Sequence, residues 1–144
     1  MGTRTTSGKT ILVINDDPAI LGLFDDLLRE EGYDVQQDEF GKTTDELHRH
    51  IRDLQPDLII LDYIIGREGS GWQLLQAIKM DRATRHIPVI ICTGAARQVE
   101  ELRGHLLEMD VQVVLKPFDI DHLIEIVESI WVLDDKVQVS PPEN

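Results

Sequence analysis

Four places in the 144-residue chain carry groups that can hold a metal ion and a phosphoryl group. Asn15, Asp16 and Asp17 follow the apolar run ILVI. Asp62 closes LIILD, Thr93 closes VIICT, and Lys116 follows VVL. Carboxylates gathered this closely repel one another, and a cation relieves the repulsion. Hard oxygen donors suit Mg²⁺, which takes few protein carboxylates and keeps several waters. A lysine can grip an anionic group, and a threonine hydroxyl can reach its oxygens. Together with a metal they can stabilise a phosphoryl group in transit. A carboxylate such as Asp62 can accept that group as an aspartyl phosphate.

The elements that must position these residues are legible in the pattern. Thr10–Ile14, Asp57–Leu61 and Pro88–Cys92 are short apolar runs, which predict strands buried on both faces. Tyr33–Asp38 alternates weakly and predicts an edge strand; Val111–Leu115 predicts a last strand. Pro18 suits a helix start, with Asp17 as a possible N-cap. Ile20, Leu21, Phe24, Leu27 and Leu28 follow at helical spacing until Gly32. Thr43 or Thr44 caps a second helix through Leu47, Ile51 and Leu54. A third carries Trp72, Leu74, Leu75 and Ile78. A polar fourth runs through Leu102, Leu106 and Leu107, and an amphipathic fifth spans Ile120–Leu133. Strands alternating with helices predict an α/β fold, a doubly wound five-stranded parallel sheet with helices on both faces. Ligands of such sheets bind beyond the carboxyl ends of the strands. Asn15-Asp16-Asp17, Asp62, Thr93 and Lys116 all fall there.

Composition narrows the function. Hydrophobic residues make up 42% of the chain, enough for a core, and the length suits one domain. The expected division is a disordered segment 1–8, a domain 9–133 and a flexible tail 134–144. A net charge of −13 argues against nucleic acid as a direct partner. No apolar stretch has the length of a membrane span, and MGTRTTSGKT lacks the apolar region of a secretory signal. The expectation is therefore cytoplasmic, with no membrane partner. The single cysteine, Cys92, excludes an internal disulfide and reads as a small core hydrophobe. His48 and His50 lie two apart on a helix and point to different faces, so they make no metal pair. His86, His105 and His122 read as surface residues, and Trp72 and Trp131 as packing residues.

Taken singly, each polar residue has an ordinary explanation as a helix cap, a turn residue or a solvated charge. Taken as an ordered set, ILVINDDP, LIILDY, VIICTG and VVLKPF resemble the receiver domain of two-component response regulators. The resemblance covers roughly residues 9 to 133. It implies a flavodoxin-like strand order 2-1-3-4-5. It implies Asp62 as phosphoacceptor, with Thr93 and Lys116 contacting the phosphoryl oxygens. It implies Mg²⁺ held by Asp16, Asp62 and the backbone carbonyl of Ile64, with Asn15 beside them. The Lys116–Pro117 bond is expected to be cis.

Three departures qualify the resemblance. Asn15 stands where the family has the first of two acids, leaving one charge fewer near the metal. Val113 stands where an aromatic switch residue usually lies, three positions before the lysine. The loop after Asp62 carries Ile65-Gly66 and Ser70-Gly71 with one extra residue. The implied function is a stand-alone receiver, phosphorylated by a histidine kinase or a His-containing phosphotransfer protein. It signals by contact with a downstream protein or as a homodimer, and is not an enzyme of ordinary turnover. The alternative is a pseudo-receiver, the same fold used as a phosphorylation-independent interaction module. A dehalogenase-type phosphatase would need a differently spaced acid pair, and a flavodoxin would need a hydroxyl- and Gly-rich phosphate loop.

Overall fold

The computed structural model describes residues 8–15, 18–38, 43–62, 70–93, 111–115 and 120–139. Five strands alternate with helices: β1 (Thr10–Ile14), α1 (Pro18–Glu30), β2 (Asp34–Asp38), α2 (Thr44–Leu54), β3 (Leu58–Asp62), α3 (Ser70–Met80), β4 (Val89–Thr93), β5 (Val111–Leu115) and α4 (Ile120–Val139). The strands form one sheet in the order β2-β1-β3-β4-β5, and every neighbouring pair is parallel. The doubly wound sheet and its order match the expectation. The polar helix expected through Leu102, Leu106 and Leu107 lies outside the described residues.

β1, β3, β4 and β5 each feed two cores, because successive side chains point to opposite faces, while β2 gives Val35 to the first. Ile11 and Val13 of β1 join Leu21, Phe24 and Leu28 of α1 and Leu123, Val127 and Trp131 of α4. Leu12 and Ile14 join Leu47 and Ile51 of α2 and Leu74, Leu75 and Ile78 of α3. Ile90 and Cys92 go to the first core and Val89 and Ile91 to the second. Fully burying one such aliphatic side chain is worth about 1.5–3 kcal/mol, which is why the central strands read as unbroken apolar runs.

Local signals set the ends of the helices. Gly32 has φ 100, a left-handed conformation that a side chain disfavours. There Gly32 N–H donates to the Arg29 carbonyl and Tyr33 N–H to the Leu28 carbonyl, so the freed end of α1 is satisfied. Thr43, rather than Thr44, caps α2. Its hydroxyl accepts from Glu46 N–H at 3.1 Å, and the Glu46 carboxylate accepts from Thr43 N–H at 2.9 Å. Asp57 lies outside β3, and its carboxylate accepts from Thr10 N–H at 2.8 Å. The last helix runs six residues past the expected end at Leu133, to Val139. Nothing in Asp134-Asp135-Lys136-Val137 breaks a helix, and the first proline comes only at Pro141.

Trp131 ties this helix to the turn that enters β2. It is 3% exposed, and its Nε1–H donates to the Tyr33 hydroxyl at 2.8 Å. The Lys9 ammonium lies 5.0 Å from the ring centroid. Nearby, Arg29 of α1 pairs with Asp25 at 2.7 Å and donates to the Val35 carbonyl of β2 at 2.9 Å.

Candidate functional site

The order β2-β1-β3-β4-β5 reverses direction between β1 and β3, where a doubly wound sheet opens its ligand crevice. Register then decides which residues border it. Ile14 of β1 pairs with Leu61 of β3, so Asn15 and Asp62 are the next positions on adjacent strands. Asp62 pairs with Cys92 of β4, one residue before Thr93, and Thr93 pairs with Leu115 of β5, one residue before Lys116. The backbone of Asn15, Asp62 and Thr93 thus lies along one edge of the sheet. Asp16, Asp17, Ile64, Lys116 and the Lys116–Pro117 bond fall outside the described residues.

Asn15 is 3% exposed, an uncommon place for an amide side chain. Its backbone N–H donates to the Asp38 carbonyl at 3.2 Å, which extends the β1–β2 ladder by one bond beyond the strand. Asp38 is itself a buried carboxylate, 5% exposed. It pairs in register with Ile14 and so shares the face covered by α2. There the His50 Nδ1 lies 2.5 Å from Asp38 Oδ2. A carboxylate only accepts, so the imidazole donates from Nδ1.

His48 does turn the other way, as its spacing from His50 implies. Its Nε2 lies 2.9 Å from Asp81 Oδ2, beyond the end of α3. Asp81 also accepts from Ala83 N–H at 2.9 Å and pairs with Arg52 at 3.0 Å. The Ala83 N–H foremost, and then Arg52 and His48, hold its carboxyl below the ordinary range against the opposing effect of burial. This cluster lies at the far end of the sheet from Asn15, among the turns that enter the strands. His86 is exposed, and His122 is exposed and 3.9 Å from Glu125. Among the described residues no three His, Cys, Asp or Glu side chains gather as a metal site. Cys92 is buried and in no disulfide, and Val113 is half-buried against the second core.

Two residues next to the crevice escaped the sequence reading. A strand ending in DVQQD gives no sign that Asp38 is buried, and its partner lies twelve residues on, in α2. The one available signal was a carboxylate in an edge strand followed by a histidine on a helix flanked by the buried Leu47 and Ile51.

The oxygen-rich character of this edge fits a hard divalent cation. In the sequence Asp16 and Asp17 follow Asn15, and Asp62 ends β3, so carboxylates and an amide are the donor types available to such an ion.

Known proteins agree with this architecture. The response regulator receiver domain matches over residues 11–128. The dual transcriptional regulator RpaA of Synechocystis, described as DNA-binding, is 33% identical over 127 residues; the match covers 88% of this chain and 51% of RpaA. The chain therefore spans about half the length of that relative. The polar-differentiation response regulator DivK of Brucella anthropi is 31% identical, with 84% of this chain and 94% of DivK covered. The receiver domain of the Pseudomonas aeruginosa sensor kinase PA1611, solved with magnesium in its active-site cleft, superposes with a TM-score of 0.69 at 22% identity, covering 85% and 97% of the two chains. No described helix is long and apolar enough to cross a membrane. The family match over most of the chain, the sheet order and the strand-end register converge, and the protein belongs to the response regulator receiver domain family of two-component signalling.

Proposed function

We propose that the chain is a phosphorylatable receiver in which Asp62 accepts a phosphoryl group from a histidine kinase or a His-containing phosphotransfer protein. The observation that supports this most is the register that sets Asn15, Asp62 and Thr93 side by side at the switch point of the sheet. A carboxylate oxygen of Asp62 attacks phosphorus, the bond from phosphorus to the donor breaks, and an acyl phosphate results. Lys116 neutralises charge on the phosphoryl oxygens, and the Thr93 hydroxyl donates to one of them. Asp16, Asp62 and the Ile64 carbonyl would hold Mg²⁺, with Asn15 offering its amide oxygen. When bound, the ion supplies charge neutralisation to the transferring group. Output passes through protein contact, with a downstream protein or a second copy as partner. With a net charge of −13 the domain itself needs no nucleic acid. The site turns over slowly on itself rather than on an external substrate, in a cytoplasmic setting.

A pseudo-receiver is the second reading, favoured by Asn15 and by the small, half-buried Val113. One experiment separates the two. Acetyl phosphate with Mg²⁺ is expected to add a single phosphoryl mass to the chain and none to Asp62→Ala. A chain that stays unmodified at saturating Mg²⁺ overturns the phosphorylatable reading.

A further inference from the structure

We infer that His50 is a positioning residue for the metal and phosphoryl site, acting through Asp38 and Asn15; the inference rests on the reading above. Two hydrogen bonds and one peptide bond make the connection. The His50 imidazole donates to the Asp38 carboxylate at 2.5 Å. The Asp38 carbonyl accepts from Asn15 N–H at 3.2 Å. Asn15 is covalently joined to Asp16, the acid assigned above to the metal.

The arrangement has the properties of a device for setting position. β2 is an edge strand, so its ladder bonds come from β1 alone. A carboxylate buried to 5% exposure carries a large desolvation cost unless it is hydrogen-bonded, so the His50 donor helps to hold Asp38 in place. That donor is on a rigid seat. His50 lies between Leu47 and Ile51, which are 1% and 0% exposed and fix α2 on the sheet. The imidazole is itself two-thirds buried. The end of β2 is thereby tied to α2, and the Asn15 backbone is tied to the end of β2. Direct hydrogen-bonded support of metal ligands ordinarily matters to affinity by a factor of about ten to a hundred, and His50, two residues removed from Asn15, is expected at the lower end of that range.

The test compares the unmodified chain with His50→Leu and His50→Gln, by calorimetric Mg²⁺ titration and by amide hydrogen exchange. His50→Leu is expected to weaken Mg²⁺ binding roughly tenfold. It is also expected to speed exchange at the Asn15 amide while leaving Ile11, at the far end of the same strand, protected. His50→Gln keeps a donor for Asp38, folds as the unmodified chain does, and recovers most of the affinity. Unchanged Mg²⁺ binding in both variants, with a binding-competent unmodified chain, overturns the inference and leaves the proposed function standing. Exchange that accelerates equally at Asn15 and Ile11 shows general loosening and overturns it as well. Recovery absent in a folded His50→Gln does the same. An unmodified chain that binds no Mg²⁺ overturns the proposed function itself, and the inference falls with it.

Discussion

The hydrogen bond between Trp131 and Tyr33 is expected to show as a coupling energy in a double-mutant cycle. Both residues are 3% exposed, and the Nε1–Oη distance is 2.8 Å. Tyr33→Phe removes the acceptor and leaves the indole N–H buried beside a ring edge, a loss of about 1–3 kcal/mol. Trp131→Phe removes the donor, trims buried apolar surface and weakens the contact with Lys9, whose ammonium sits 5.0 Å from the ring. Those effects sum to about 2–4 kcal/mol. The double variant loses the bond once rather than twice. Its cost should therefore fall short of the sum of the singles by about 1 kcal/mol. The rings, with centroids 6.0 Å apart and tilted by 48°, persist as a Phe pair, so the cycle isolates the polar contact. Urea unfolding followed by far-UV circular dichroism measures all four proteins without relying on Trp131 fluorescence. Singles that add to within about 0.3 kcal/mol, at equal m-values, would refute the reasoning.

Thr43→Ala removes the hydroxyl that accepts from Glu46 N–H and is expected to cost about 1 kcal/mol in the same assay; Ser at that position should restore most of it. Asp81→Ala should destabilise the domain at neutral pH, because the folded carboxyl titrates below its unfolded counterpart. That contribution is present above the unfolded pKa and is lost as pH falls through the folded one, so melting curves of variant and unmodified chain should converge in acid. Asn15→Asp puts a charge at a position only 3% exposed. It is expected to lower stability without Mg²⁺ and to tighten Mg²⁺ binding around tenfold, about 1.4 kcal/mol, measured by calorimetry. Equal or weaker binding would place the Asn15 side chain away from the ion.

The legible parts of the fold are those where one physical demand dominates a short stretch. Ile11–Ile14 and Leu58–Leu61 must be apolar at every position because both faces of the sheet are covered, so the central strands are plain in the sequence. Gly32 and Thr43 mark helix ends because few residues can meet the backbone requirement there. The β-α alternation implied the crevice, and the family resemblance supplied the strand order. What escaped depends on long-range partners. Gln55 takes φ 51 without being glycine, held by side-chain hydrogen bonds to the Arg52 and Ala83 carbonyls, the latter in another loop. Asp38 and His50 meet only once α2 packs on the sheet, and neither residue alone announces burial. The extension of the last helix to Val139 went unread because a polar stretch carries no periodic signal, even where nothing forbids a helix. Asp16, Ile64 and Lys116 rest on motif alone, since they lie outside the described residues.

The hydrogen bond from Arg29 to the Val35 carbonyl bears on how the protein behaves in a crowd. Asp34 and Asp38 spend their ladder groups on β1, through the Lys9 carbonyl and the Asn15 N–H. Parallel strands alternate, so Val35 turns its main-chain groups outward, along the margin where another molecule's strand would attach. Arg29 already occupies that acceptor at 2.9 Å. The acidic Asp34 stands exposed beside it, and the strand is only five residues long. An extended peptide approaching this margin finds a bond already filled and a like charge if it is acidic. The β2 border of the sheet is therefore a poor template for strand-by-strand growth of a fibril.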